Sequence, residues 1–191
     1  MSRRRKPVPI VGRLWPLLAL WRGHGYGVGP GRVDCCTLTA SVLRDAYGRE
    51  VVTPDVWRDL CLSTASHRSR PWAPVKSIAD ALELHAAIPG HGPERPEPGR
   101  LHLCQGWSHL TGLGIGAGSR GHAWLWLSFG GWSGVCIESS GVGPRVWDGG
   151  GRRHLDDVVS MTGELVATLA PMDWSARAAK WSDGVAFVAL P

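Results

Sequence analysis

The chain has 191 residues, of which 43% are hydrophobic. That is enough for one folded domain of ordinary size, and too apolar for a disordered chain. The formal net charge is +5. Four of the 21 basic residues are Arg3, Arg4, Arg5 and Lys6, so the rest of the chain sets 17 basic residues against 16 acidic ones. A nucleic-acid-binding domain carries a basic face across its folded part; here the excess sits in a basic tail over residues 1–10, and no nucleic-acid partner is expected.

The five cysteines are odd in number and follow no disulfide framework, which points to reduced thiols in a reducing compartment. The apolar run Leu14–Trp21 is short, contains Pro16 and leads into Arg22-Gly23-His24 without a small-residue cleavage pattern, so it reads as a packed helix over residues 12–22 rather than a leader. No stretch is long enough to span a bilayer, so a cytoplasmic protein with no membrane partner is expected.

A glycine-rich loop, Tyr26-Gly27-Val28-Gly29-Pro30-Gly31-Arg32-Val33, stops at Asp34. Asp is a strong N-cap, because its carboxylate accepts orphan amides of the first turn. Leu38, Val42, Leu43, Ala46 and Tyr47 then form an apolar helical face, and Gly48 supplies the left-handed stop. The spacing predicts a helix over Cys35–Tyr47. Cys35 therefore lies in the first turn, where amides and the helix dipole favour the thiolate, the nucleophilic form. The charge of Asp34 opposes this, and a histidine is needed to tip the balance.

Thr53-Pro54-Asp55 starts a further helix, with Val56, Trp57 and Leu60 on its apolar face. Residues 62–72 read as loop. Pro74 opens a helix whose buried stripe is Val75, Ile78, Ala79 and Leu82, ending near His85. Pro89–Gly99 is loop by composition.

Beyond it the pattern becomes one of strands. Leu101–Cys104 is a short strand. His122-Ala123-Trp124-Leu125-Trp126-Leu127 is apolar on both faces and reads as a central, covered strand. Gly134–Glu138, Arg145–Trp147, Glu164–Ala170 and Val185–Leu190 are further strand candidates, with a possible helix over Asp156–Ser160. Helices first and an antiparallel sheet afterwards define an α+β class, with a single domain over residues 11–191.

Asp34-Cys35 opening an amphipathic helix behind Tyr26 and its glycines resembles the NlpC-type cell-wall peptidases, a branch of the papain-like cysteine hydrolases. Cys36 and Thr37 stand where that family carries serine and glycine. Downstream, Pro98-Gly99-Arg100-Leu101 resembles the family's Pro-Gly-Asp turn before a strand, with Arg100 in place of the acid. Gly121-His122 then opens a strand as the family's base histidine does. The resemblance implies a papain-like NlpC-type fold and amide-bond hydrolysis with Cys35 as nucleophile and His122 as base. It also implies peptidoglycan stem peptides, or another small amide, as substrate.

The resemblance implies a third group on the strand after His122. Glu138 ends an apolar run there, and a carboxylate can accept the imidazole N–H and stabilise the imidazolium; Asp148 is the alternative. Tyr26 and the Cys35 amide are candidate oxyanion donors. Cys104, Cys136 and His102 lack zinc-ligand spacing, so neither a metal nor another cofactor is expected. Three readings remain open: the hydrolase, host-encoded or phage-encoded and released at lysis or carried in the virion; a non-enzymatic binding or virion-assembly module on the same fold; and, least favoured by the neutral body, a nucleic-acid binder.

Overall fold

The computed structural model describes residues 10–59, 72–90, 95–108 and 121–191. The basic tail before Ile10, Leu60, Cys61, the expected loop over residues 62–72 up to residue 71, and the histidines His67, His91 and His109 lie outside the described residues.

A 3-10 turn over Ile10–Arg13 leads into helix α1, Leu14–Ala19. The helix expected over 12–22 is thus shorter. Past Ala19 the amides of Leu20, Trp21 and Arg22 bond three residues back, to Leu17, Leu18 and Ala19, which tightens the chain into turns. Two short parallel strands, β1 (Gly25–Tyr26) and β2 (Arg32–Val33), pin the ends of the glycine loop. Gly27, Gly29 and Gly31 take positive φ between them, a conformation that side chains resist.

Helix α2, Cys35–Tyr47, has the expected bounds. The Asp34 carboxylate accepts the Thr37 amide at 2.7 Å, and Gly48 ends the helix at φ 61°. Residues 54–59 form α3, where the Thr53 hydroxyl accepts the Val56 amide at 3.1 Å. Helix α4 runs over Ala73–Leu82, three residues short of His85. Glu83 turns left-handed at φ 56°, and the Leu84 amide reaches back to the Ala79 carbonyl at 2.8 Å, closing the end without a glycine.

The sheet then forms from β3 (Ala86–Ala87), β4 (Leu101–Trp107), β5 (Gly121–Gly130), β6 (Ser133–Ser140), β7 (Gly143–Asp148), β8 (Gly151–His154), β9 (Met172–Asp173) and β10 (Val185–Ala189). The order is β3-β10-β4-β5-β6-β7-β8, antiparallel throughout, with β9 beside the start of β6. The α+β class with a mainly antiparallel sheet is therefore observed.

Glu164–Ala170 is not a continuous strand: Leu165 forms an isolated antiparallel bridge with Val159. Other backbone groups of the segment go to scattered partners: Val166 donates to the Val158 carbonyl, Arg153 donates to the Thr168 carbonyl, and the Asp148 carboxylate accepts the Ala170 amide. Of the region Asp156–Ser160, only a 3-10 turn over Leu155–Asp157 forms. A helix absent from the sequence reading, α5 (Trp174–Ala178), follows β9 and is capped by Asp173, whose carboxylate accepts the Ala176 amide at 3.0 Å.

Alternation along the strands separates two cores. Ala123, Leu125, Val135 and Ile137 face α2, which packs on β5 and β6 with Leu38, Val42 and Leu43. Trp124, Trp126 and Cys136 face the other way, into a second cluster with Trp174, Trp181 and Phe187. Part of the tryptophan excess has its place there: Trp124 and Trp126 are fully buried, and Trp174 and Trp181 nearly so, while fully buried Trp57 belongs to the first core.

Candidate active site

Cys35 is the first residue of α2 and is partly exposed, whereas Cys36 beside it is buried in the first core. His122 is the second residue of β5, so its ring stands at the end of the sheet where the N-terminus of α2 arrives. The two side chains interact: each acts on the other's proton affinity through a hydrogen bond and through charge. On its other side the imidazole meets Glu138 of β6, with Nε2 3.1 Å from Oε2. That leaves Nδ1 as the nitrogen for the Cys35 thiol. His122 and Glu138 thus come from neighbouring strands, and Cys35 from the helix packed on those strands.

The ring is held flat. Trp181 stacks on it at 5.9 Å between centroids and 16° between planes, and Trp124 at 6.0 Å and 20°. Trp181 fits because Gly106, the register partner of His122 on β4, has no side chain; a Cβ there would stand 2.2 Å from the indole. Glu138 is buried and fully occupied. Oε1 accepts the Ser140 hydroxyl at 2.9 Å, and Oε2 accepts Arg177 at 2.5 Å as well as facing His122.

The electrostatics follow from these contacts. Burial raises the affinity of Glu138 for a proton, but the His122 hydrogen bond and the His122 and Arg177 charges outweigh it and hold the carboxyl well below its usual range. Burial also works against a charged His122; the Cys35 and Glu138 interactions overcome it and push the imidazole up to about 9. The Cys35 thiol is pushed up, first by its hydrogen bond with Cys36, whose sulfur lies 3.9 Å away, then by burial; the His122 charge pulls the other way without prevailing.

The helix start and the His122 charge favour the Cys35 thiolate, while the Cys36 sulfur and burial favour the thiol. Arg58 of α3 donates to the Asp34 carboxylate at 2.5 Å and offsets part of the charge that would oppose the thiolate.

Tyr26 of β1 is partly exposed. Its phenol is pushed up to about 12 by burial and then by charge at Cys35, Asp34 and Cys36, so it stays a hydrogen-bond donor. The loop that carries it is tied to the sheet where the Ser139 hydroxyl donates to the Val33 carbonyl at 2.5 Å.

Other candidates lie elsewhere. Asp148 is buried at the end of β7, accepting the Gly150 and Ala170 amides and pairing with Arg153 at 3.4 Å. Burial pushes His102 down to about 4, and its Nε2 accepts the Glu97 amide at 2.9 Å. Burial likewise raises the Cys104 and Cys136 thiols, Cys136 to about 12. Among the described residues, no group of three or more His, Cys, Asp or Glu side chains could hold a metal ion.

The sequence reading missed Arg177, Trp181 and Gly106. Asp173 as an N-cap was a local signal for α5, but nothing local announces that its last turn meets Glu138. No helix among the described residues is long and apolar enough to cross a membrane. No family model, curated protein or solved structure matches this chain.

Proposed function

We propose that this chain is a cysteine hydrolase of papain-like, NlpC-type architecture that cleaves amide bonds with Cys35, His122 and Glu138. The observation that carries the reading is the single imidazole engaged by a helix-start thiol on one side and a buried, ionised carboxylate on the other.

In this reaction the Cys35 thiol passes its proton to His122 Nδ1 as sulfur attacks the substrate carbonyl. The oxyanion of the tetrahedral intermediate accepts hydrogen bonds from the Tyr26 hydroxyl and the Cys35 amide, which as a first-turn amide has no partner within the helix. Glu138 stabilises the imidazolium. His122 then returns the proton to the leaving nitrogen, the C–N bond breaks and a thioester remains. Water, giving its proton to His122, attacks that thioester; the acid leaves and the thiol is regenerated.

Peptidoglycan stem peptides are the substrate class the motif resemblance favours, with other small amides next. A second reading, a binding or virion-assembly module on the same fold, draws support from the raised Cys35 thiol.

A panel of peptidoglycan fragments and amide or ester reporters tests the choice. Cys35→Ala and His122→Ala should each reduce turnover to the same floor, with no further loss in the double variant, because the two act as a unit. Turnover that survives Cys35→Ala refutes the hydrolase assignment. A panel left wholly intact, by a Cys35 no more reactive than the buried thiols, favours the binding module.

A further inference from the structure

We propose that Arg177 is a positioning residue that holds the Glu138 carboxylate in place against His122 Nε2. The inference rests on the hydrolase reading and extends it to the far side of the sheet.

Arg177 lies in the last turn of α5, 3% exposed, with its guanidinium 2.5 Å from Glu138 Oε2. Three indoles enclose it: Trp124 at 4.6 Å, Trp147 at 4.9 Å and Trp181 at 6.0 Å from ring centroid to the guanidinium carbon. Two of the three, Trp124 and Trp181, also stack on His122. The same aromatic walls therefore fix the base, the carboxylate's cation and, between them, the carboxylate.

A buried ion pair is a poor device for stability. Desolvating two charges costs about as much as their attraction returns, and apolar residues of equal volume often do better. The buried apolar residues of the second core are Trp, Phe, Val, Cys and Ala, yet this pair lies against them. Its effect is local: with His122, Arg177 keeps Glu138 ionised against burial, and its contact at Oε2 fixes the carboxylate beside His122 Nε2.

The charged and titratable groups that face this carboxylate are His122 on β5, Cys136 on its own strand, its register partner Arg145 on β7, and Arg177 and Lys180 from the α5 region; Arg152 on β8 faces Lys180 and Cys136 in turn. Lys180 lies 3.3 Å over the Trp147 ring and is exposed, and Arg152 lies 4.5 Å over the same ring. Neither has a hydrogen bond to the carboxylate, and only Arg177 among these cations contacts it.

The test reads the His122 ring and the Glu138 carboxyl by NMR titration of the labelled full chain, alongside Arg177→Met and Arg177→Lys, with circular dichroism to verify folding. In Arg177→Met the Glu138 midpoint should rise by about one unit or more, and the downfield Nε2–H resonance that marks the His122–Glu138 hydrogen bond should move upfield or be lost. Arg177→Lys should lie between that variant and the parent. A folded Arg177→Met with the Glu138 midpoint and the Nε2–H resonance unchanged overturns the proposal. If Arg177→Met does not fold, Arg177→Lys decides: a Glu138 midpoint raised by about half a unit supports the assignment, and the parent's midpoint refutes it. No substrate enters this measurement. A raised Glu138 midpoint beside an inert reporter panel would leave Arg177 positioning Glu138 and remove only the hydrolase reading.

Discussion

Replacing Gly106 with alanine should disturb the site without touching any reacting atom. Gly106 pairs with His122 across β4 and β5, and the Trp181 indole lies over it. An added Cβ would stand 2.2 Å from Cδ2, 2.4 Å from Cε2 and 2.5 Å from Cγ of that indole. Carbon atoms pack best at about 3.5–4.0 Å, so the ring must retreat by about 1.5 Å. It cannot do so cheaply, because Trp181 also stacks on Trp124 at 5.5 Å and borders Arg177. Overpacking of this kind costs about 1–3 kcal/mol, and each kcal/mol lowers the melting temperature of a chain this long by about 2–4 °C. Thermal melts of Gly106→Ala should show that loss, and the Trp181 indole and His122 ring resonances should both move. Gly130→Ala is the control, since a Cβ there meets nothing within 4 Å. A Gly106→Ala variant that melts with the parent and keeps both resonances would refute the account of how the imidazole is held flat.

Cys36→Ala removes the contact that does most to hold Cys35 as a thiol, so iodoacetamide should label Cys35 several-fold faster near neutral pH, in mass-spectrometric kinetics; slower labelling would contradict the assigned cause. In the parent, Cys35 should still label ahead of buried Cys104 and Cys136. Stability should fall as pH rises. His122 is raised from its ordinary 6.5 to about 9, so its contribution is fully present below 6.5 and is lost as pH climbs through 9. The raised Cys35 thiol acts in the same direction at higher pH, while Glu138, held low, contributes above its ordinary value and loses that only in strong acid. Denaturant melts should record a loss on the order of 1–3 kcal/mol between pH 6.5 and 9, and a flatter profile in Glu138→Gln. Tyr26→Phe should lower kcat several-fold and leave KM nearly unchanged, the mark of an interaction made in the transition state; an unchanged kcat would remove Tyr26 from the oxyanion site.

The α2 helix was legible because its signals are local. Asp34 caps it, Gly48 ends it, and the apolar positions between recur at the helical period, all within one short window. Strands β5 and β6 declared themselves through continuous apolar runs that only a covered strand bears, and the positions of Cys35, His122 and Glu138 on these elements followed. Local signal failed where the chain's neighbours decide the outcome. Glu164–Ala170 has the composition of a strand but pairs only through an isolated bridge of Leu165 with Val159, and other backbone groups in it are met by Asp148, Arg153 and Val158. Of the influences on Cys35, the helix dipole can be read from position, whereas burial and the sulfur of Cys36, which oppose it, depend on packing. Arg177 and Trp181 lie 55 and 59 residues beyond His122. No periodicity links them to it, and only the closing of α5 over the second core brings an arginine to Glu138 and an indole onto the imidazole. The sequence by itself determined α2, β5 and β6 and the residue types they carry to the end of the sheet. The tertiary structure alone decided which charges meet there, because desolvation and ion pairing depend on distances between residues far apart in the chain.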